Sequence, residues 1–128
     1  MSELERWLFL DDVRSANPER WDIVRDYRSF VDYMFSHPIP PVISFDHDLG
    51  DEHYPTKEQS LDDVIDYASY KEQTGYEAAR WLVVNNKLPK LAIVHSYNIV
   101  GARNIANLLR EAGVEVLVGP YRPQAYGA

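Results

Sequence analysis

The chain contains no cysteine, which excludes both a disulfide framework and a metal site built on thiolates. Basic residues are also few, with 13 Lys and Arg against 20 Asp and Glu and a formal net charge of −7. This balance argues against non-specific binding to nucleic acid or to an anionic membrane, because both need a basic surface. A phosphate-bearing small ligand stays compatible with it, since a bound cation can reverse the charge of a site locally.

Long apolar runs are missing as well. No run approaches the ~18 residues of a membrane span, and the N-terminal MSELERWLFLDD lacks the basic start and apolar core of a signal peptide. We therefore expect a soluble, cytoplasmic protein without membrane contact. Its 128 residues, 45% of them hydrophobic, are enough for a single domain with a real core, spanning 1–128.

Four short apolar runs along the chain are typical of strands that are covered on both faces. They lie at 7–10 (WLFL), 42–45 (VISF), 91–94 (LAIV) and 114–118 (VEVLV). Helical patterns separate them. This alternation predicts an α/β fold in which an open parallel sheet of about four to five strands is flanked by helices in three layers, with right-handed crossovers.

Three segments carry the helical patterns. In the first, an N-cap at Asn17 and apolar residues at helical spacing predict one amphipathic helix through to the next proline-rich turn. The second begins with Thr74 and Glu77 at capping-box spacing, and the third ends at Gly113. Between the first two helices, residues at about 51–73 are polar and acidic, and we interpret them as an insertion into the domain.

Polar side chains follow the carboxyl end of each predicted strand. In chain order they are Asp11 and Asp12, then Asp46, His47 and Asp48, then His95, Ser96 and Asn98, and finally Arg122. In an open parallel sheet these ends meet at one edge, and ligands bind in the crevice beyond it. We therefore expect one crevice that collects the carboxylates, the imidazoles and a guanidinium.

Carboxylates crowded together repel one another and take up protons unless a cation lies among them. Oxygen donors favour Mg²⁺ or Mn²⁺, which are the expected ions, and a histidine ligand would shift the preference towards Mn²⁺ or Zn²⁺. Metal, imidazole and arginine together suit phosphoryl chemistry. The helix that starts near Asn98 would add backbone N–H groups as a seat for an anion.

Taken singly, these residues also fit structural roles. The acid pair 11–12 suits a turn that ends a strand, His95 suits a hydrogen-bonded core position, and Asn98 suits the cap of the next helix. Arg103 and Arg122 fit solvated positions on the surface. The combination of all of them at one edge favours a functional site over these separate roles.

Four stretches of the chain, LFLDD, ISFDHDLG, TGYEAARWL and VHSYNIVGARNI, together resemble the cyclic-phosphate processing receiver domain family, a divergent branch of the response-regulator receiver fold. The resemblance covers nearly the whole chain and implies a receiver-like (flavodoxin-like) sheet. It implies that the pair 11–12 matches the receiver's acid pair, that Asp46 or Asp48 stands at the acceptor position, and that Ser96 matches the receiver's Ser or Thr. Arg122 stands where an ordinary receiver has lysine.

The chain also departs from an ordinary receiver. About 30 residues separate the first two predicted strands, too few for the usual helix-strand-helix, so one unit is missing unless a short strand lies in that connection. His47 and His95 are additions, and about 20 residues are inserted after Leu49. These departures weigh against phospho-relay signalling and leave room for hydrolysis.

The resemblance implies a metal-dependent phosphodiesterase that opens a cyclic phosphate, either in a cyclic nucleotide or at a 2′,3′-cyclic nucleic-acid end. The expected metal ligands are Asp11, Asp12, Asp46 and Asp48. The expected catalytic residues are His47, His95, Asp46 and Asp48, with the histidines as general base and acid or with one of them as a metal ligand. The expected substrate-binding residues are Ser96, Asn98, Arg103 and Arg122. The alternatives are a module that sequesters a cyclic nucleotide or other phosphorylated signal without turnover and, least favoured, a phospho-accepting receiver.

Overall fold

The computed structural model of the protein describes residues 5–55 and 58–119. Its five strands are β1 (Trp7–Leu10), β2 (Trp21–Val24), β3 (Val42–Phe45), β4 (Leu91–Val94) and β5 (Glu115–Val118). Its three α-helices are α1 (Tyr27–Ser36), α2 (Gly75–Val84) and α3 (Ile99–Glu111). The strands form one parallel sheet in the order β2-β1-β3-β4-β5, which is the order of flavodoxin-like sheets. The predicted receiver-like α/β fold is confirmed.

The strands end at a common level. Leu10 of β1 lies beside Phe45 of β3, and Phe45 lies beside Val94 of β4. The residues that follow these three strands therefore meet at one edge of the sheet, as the topology predicted. This edge carries the candidate site.

The first connection contains a strand, and the prediction of one long helix from Asn17 is wrong. The Asn17 carbonyl closes a single turn, accepting hydrogen bonds from Arg20 and Trp21, and β2 then pairs in parallel with β1. The helix begins only at Tyr27, after the N-cap Asp26. The apolar residues of WDIV fit either period, and pairing with β1 satisfies the backbone groups of this short segment. The missing unit of the receiver is thus the first helix, not the second strand.

All three helices pack on the same face of the sheet. Right-handed crossovers that advance from β2 to β3, β4 and β5 all pass over one side, which explains this arrangement. The core on this face includes Leu8, Leu10, Phe30, Met34, Ile43, Phe45, Leu82, Val94, Ile105 and Leu109. On the opposite face, Phe9, Trp21 and Val42 are covered within the described ranges by the β1–β2 loop through Ala16, which provides a thin third layer.

The predicted ends of α2 and α3 are confirmed. Thr74 and Glu77 form a reciprocal capping box at the start of α2. Gly113 lies just beyond α3 with a φ of +92°, a left-handed conformation that glycine adopts without strain. No helix in the described ranges combines the length and the apolar character that crossing a membrane requires.

Two glycines allow α2 and α3 to approach the end of β3. A Cβ atom at Gly75 would lie 1.9 Å from the carbonyl oxygen of Asp46. A Cβ atom at Gly101 would lie 2.3 Å from Cγ of the His47 imidazole. Both helices therefore begin directly against the residues that follow β3.

The insertion is closed at its base by a buried histidine. His53 Nδ1 accepts the Leu49 N–H at 2.9 Å, and its Nε2 donates to the Glu72 carbonyl at 2.8 Å. His53 is the last residue of a single 3-10 turn at Asp51–His53. A second such turn, at Tyr67–Ser69, lies shortly before Glu72. The segment between Leu49 and Glu72 thus begins and ends at nearly the same place.

Candidate functional site

Three carboxylates meet where β1 and β3 end. Asp11, Asp12 and Asp46 each place an oxygen within 4.8 Å of the other two, and we call this group the acid trio. Asp11 is fully buried and Asp46 is only 3% exposed, whereas Asp12 is partly exposed. A buried set of carboxylate oxygens that is open on one side fits a hard divalent cation such as Mg²⁺ or Mn²⁺.

The two buried carboxylates prefer different protonation states. Burial raises the pKa of Asp46 to about 7, and the negative charge of Asp11 acts in the same direction. Burial alone would also raise the pKa of Asp11, but hydrogen bonds from His95 and from the backbone of Arg14 and Val13 outweigh it and lower that pKa. Asp11 is thus held as an anion, and its neighbour Asp46 calls for a proton or a cation near neutral pH.

Asp11 is fixed by bonds to both of its oxygens. Oδ1 accepts the backbone N–H groups of Val13 and Arg14 at 2.9 and 2.8 Å. Oδ2 lies 2.9 Å from Nε2 of His95. The acid pair therefore does form a strand-ending turn, and the same turn orients Asp11 within the trio.

His95 directly follows β4 and is fully buried, in contact with Phe9 of β1 and Asp11 of the trio. Its ring stacks on Phe9 with the centroids 4.6 Å apart, and its Nδ1 lies 2.7 Å from the Ser44 hydroxyl. Because ionised Asp11 can only accept, Nε2 is the protonated nitrogen and Nδ1 accepts from Ser44. Burial lowers the pKa of His95, although the hydrogen bond to Asp11 acts in the opposite direction. Both ring nitrogens are engaged, so His95 holds Asp11 in place.

Arg14 brings a positive charge to the trio. Its Nη1 lies 3.6 Å from Asp11 Oδ2, and the side chain is 23% exposed. Its guanidinium carbon lies 4.7 Å from the centroid of the Tyr97 ring, a cation–π contact that supports it from one side. The sequence predicted that the guanidinium group of the site would come from Arg122, which lies outside the described residues. The spacing of Arg14, three residues after Asp11, was the available signal for it.

Tyr54 reaches the trio from the insertion. Its hydroxyl donates to both carboxylate oxygens of Asp12, at 2.9 and 3.0 Å. Burial and this hydrogen bond raise the pKa of Tyr54, so the hydroxyl stays protonated. The contact joins residues 42 positions apart and depends on the path of the insertion. No local sequence pattern signals it.

His47 and Asp48 belong to a second hydrogen-bonded group, which we call the His47 cluster; it consists of His47, Asp48, Asn98, Tyr67 and Asn104. Asp48 Oδ1 lies 2.7 Å from His47 Nδ1 and accepts from Asn98 Nδ2 at 2.9 Å. His47 Nε2 lies 3.0 Å from the Tyr67 hydroxyl, which accepts from Asn104 at 3.0 Å. This pattern makes Nδ1 the donor and Nε2 the acceptor of His47. Asp48 thus points into this cluster, apart from the trio.

The remaining predicted residues lie in different settings. The Ser96 hydroxyl accepts the Asn98 N–H at 3.0 Å and is nearly buried at the end of β4. Arg103 lies on α3 and donates to the Leu61 carbonyl of the insertion. The structure therefore brings Ser96 and Asn98 to the edge of the sheet and directs Arg103 towards the insertion.

Side chains already occupy the N-terminus of α3. Asn98 Oδ1 accepts the Gly101 N–H at 2.9 Å. Gln59 of the insertion accepts the Ile99 N–H at 3.0 Å and donates to Asn98 Oδ1 at 2.7 Å. These amides take the place that was predicted for an anion, and Arg14 places a positive charge beside the trio.

Comparison with protein families gives one result that matches this geometry. The family model described as the cyclic-phosphate processing receiver domain matches residues 6–111. The matched range runs from the start of β1 to the end of α3, and it includes the trio, Arg14 and the His47 cluster. The chain matched none of the curated proteins and none of the solved structures with which it was compared.

Proposed function

The chain belongs to the cyclic-phosphate processing receiver domain family, and on this premise we propose that it is a metal-dependent phosphodiesterase that opens a cyclic phosphate, in a cyclic nucleotide or at a 2′,3′-cyclic nucleic-acid end. The observation that carries the proposal is the buried acid trio at the carboxyl edge of the sheet, with the Arg14 guanidinium 3.6 Å from Asp11. Carboxylates alone suit a cation, and an arginine beside them suits a phosphate oxygen.

Asp11, Asp12 and Asp46 would hold the ion, which the raised pKa of Asp46 supports because that group needs a compensating positive charge. When bound, the ion would polarise a phosphoryl oxygen and acidify a water molecule. Arg14 would bind a non-bridging phosphate oxygen and neutralise the charge that develops there. His95 would keep Asp11 ionised and correctly turned.

Ring opening adds water to phosphorus and breaks one ring P–O bond, which gives a phosphate monoester. One proton leaves the attacking water and one is delivered to the leaving oxygen. We assign these transfers to His95 and His47. Before the reaction His95 would hold Asp11 ionised, and it would transfer a proton once its hydrogen bond to Asp11 opens; His47 would act once its hydrogen bond to Asp48 opens. Ser96 and Asn98, which follow β4, would bind phosphate oxygens, and Asp48 would hold His47 and Asn98 in place. Arg103 and Arg122 remain proposed contacts to more distant parts of the substrate.

A binding module is the second candidate, and one observation favours it. Both nitrogens of His47 and both nitrogens of His95 already have hydrogen-bond partners. In such a module the trio and Arg14 would capture the cyclic phosphate through a cation, and the histidines would serve only to hold the carboxylates.

A phosphodiesterase panel tests the proposal. The purified chain is incubated with linear, 3′,5′-cyclic and 2′,3′-cyclic nucleotides, with Mg²⁺, Mn²⁺, Zn²⁺ or EDTA, and the products are identified by mass. We expect turnover of a cyclic phosphate that needs the metal and is lost in Asp46→Asn. Asp32→Asn is the matched control, because that carboxylate is 65% exposed on α1.

Two other outcomes would overturn the enzyme. An unchanged ligand that raises the melting temperature would select the binding module. Stable labelling by a small phosphodonor, abolished by Asp46→Asn or Asp48→Asn, would select the phospho-accepting receiver.

A further inference from the structure

A cleft of about 390 Å³ lies beside Tyr54, whose hydroxyl is bonded to Asp12 of the trio. The insertion forms almost all of its described wall, and Asn98 at the end of β4 completes it. Its volume lies in the range of small-molecule sites. Neither the trio nor Arg14 lines it, so the proposed chemistry leaves the cleft without a role.

Two side chains join the cleft to the reacting edge. Tyr54 lines the cleft, and its hydroxyl is bonded to Asp12 of the trio. Asn98 lines the cleft as well and is bonded to Asp48. Tyr54 therefore lies between the trio and the cleft, on the path that a ligand reaching from one to the other would take.

The wall of the cleft is rich in hydrogen-bond acceptors and, among the described residues, contains no lysine or arginine. Glu52, Asp63 and Asp66 supply carboxylates, and Tyr54 and Tyr70 supply aromatic rings. Such a wall repels a phosphate and favours a planar group that carries N–H donors. A nucleobase has both properties, because its face stacks on aromatic rings and its edge donates hydrogen bonds.

One carboxylate is suited to reading the base. Glu52 accepts hydrogen bonds from two backbone amides of the insertion, and Asp63 accepts one from Ser60. Asp66 is exposed, and its side chain makes no capping bond to the turn that follows it. A carboxylate with two available oxygens pairs best with two adjacent N–H donors in one plane. Guanine presents that pair, in its ring N–H and its exocyclic amino group.

We propose that this cleft is a base-binding subsite, with Asp66 pairing with the guanine edge, and that the substrate is a guanine nucleoside cyclic phosphate. This inference rests on the proposed function in one respect, namely that the phosphate lies at the trio. The subsite itself needs neither a metal ion nor turnover. The ligand that the subsite would bind is a base with two adjacent N–H donors, attached to a ribose.

Binding of nucleosides that lack phosphate tests the subsite on the full chain. Guanosine, inosine, adenosine and uridine are compared by isothermal titration. We expect guanosine to bind about 5- to 150-fold more tightly than inosine, which lacks the amino group, since a bidentate pair contributes about 1–3 kcal/mol of discrimination. Asp66→Asn should remove this preference. Asp62→Asn should preserve it, because Asp62 is an exposed acid of the same segment that does not line the cleft.

The outcomes separate this inference from the proposed function. Equal binding of guanosine and uridine, or a guanosine preference that survives Asp66→Asn in a folded variant, would overturn the subsite even if the phosphodiesterase panel shows turnover. Selective guanosine binding that is lost in Asp66→Asn, together with an inactive panel, would support the subsite in a binding module. The melting temperature of each variant verifies that it is folded.

Discussion

Among the three carboxyl groups of the trio, that of Asp46 has the pKa that lies furthest from its usual value. Its pKa is raised to about 7, so between the usual value of 3.8 and that value the folded chain holds a proton that the unfolded chain has lost. Raising the pH through this window destabilises the metal-free fold, because the folded state must ionise a buried carboxyl group. A divalent cation competes for the same oxygens and becomes the better partner as the pH rises.

We predict that Asp46→Asn stabilises the metal-free protein, and more strongly at pH 8 than at pH 5. The linkage is about 1.4 kcal/mol for each pH unit in which only the folded state holds the proton, so the two gains should differ by on the order of 2–3 kcal/mol. Denaturant unfolding in EDTA at both pH values measures this difference. Equal gains at the two pH values would contradict it, and Asp32→Asn, at a position 65% exposed on α1, is the matched control.

Arg14 has opposite expected effects on the two ligands of the site. In Arg14→Ala, Mn²⁺ should bind severalfold more tightly, because a positive charge 3.6 Å from Asp11 is removed. Inorganic phosphate should bind about tenfold more weakly to the Mn²⁺ form, because a charge-assisted hydrogen bond is lost. Calorimetric titration of each ligand provides both values.

Arg28→Ala is the control for this prediction, since Arg28 is 85% exposed on α1. If Arg14→Ala changed the affinities for Mn²⁺ and for phosphate in the same direction, the assignment of Arg14 to phosphate binding would be wrong.

At the scale of elements, the seating of α3 against β3 depends on Gly101. In Gly101→Ala the new methyl group would lie 2.3 Å from the His47 ring, so the helix or the imidazole must move. We predict a loss of about 1–3 kcal/mol in the free energy of unfolding, as for other overpacked positions. Urea unfolding measures it.

Asn107→Ala is the matched variant on an exposed position of the same helix. It should leave stability unchanged or raise it slightly, because alanine is the better helix former. If Gly101→Ala were as stable as Asn107→Ala, the His47 ring would be able to shift and accommodate the added methyl group without a loss of stability.

The accuracy of the sequence predictions varied between elements for physical reasons. Three strands, β1, β3 and β4, were predicted with their observed bounds, because each is a short and mainly apolar run bounded by proline or polar residues. The strand β2 was missed because it exists through pairing with β1, a partner that no local pattern reveals. The capping box of α2 is a local motif, and it was correctly predicted.

The candidate site followed the same division. Topology alone brings Asp11, Asp46 and His95 to one edge, and the sequence is sufficient for that. The grouping of Asp48 with His47 rather than with the trio depends on side-chain direction. The contacts of Tyr54 depend on the path of a segment whose described regular structure is two single 3-10 turns, and no sequence pattern predicts that path.

At the scale of the whole molecule, metal binding should appear as a gain in global stability. An ion that binds only the folded chain stabilises it by about 2.7 kcal/mol at one hundred times its dissociation constant. We predict that Mn²⁺ raises the melting temperature, that EDTA reverses this, and that Asp46→Asn abolishes it. Thermal unfolding with and without the ion measures the effect. An equal rise in the variant would assign the ion to another part of the chain.

The closure at His53 has a consequence for how this fold can diversify. Leu49 and Glu72 are joined through one imidazole, so the chain between them forms a cassette with adjacent ends. Lengthening or shortening such a cassette costs little, because the entropy of closing a loop grows only with the logarithm of its length. The scaffold that holds the trio can therefore stay constant while the cassette is replaced by another. Such a replacement changes the shape of the surface that faces the ligand.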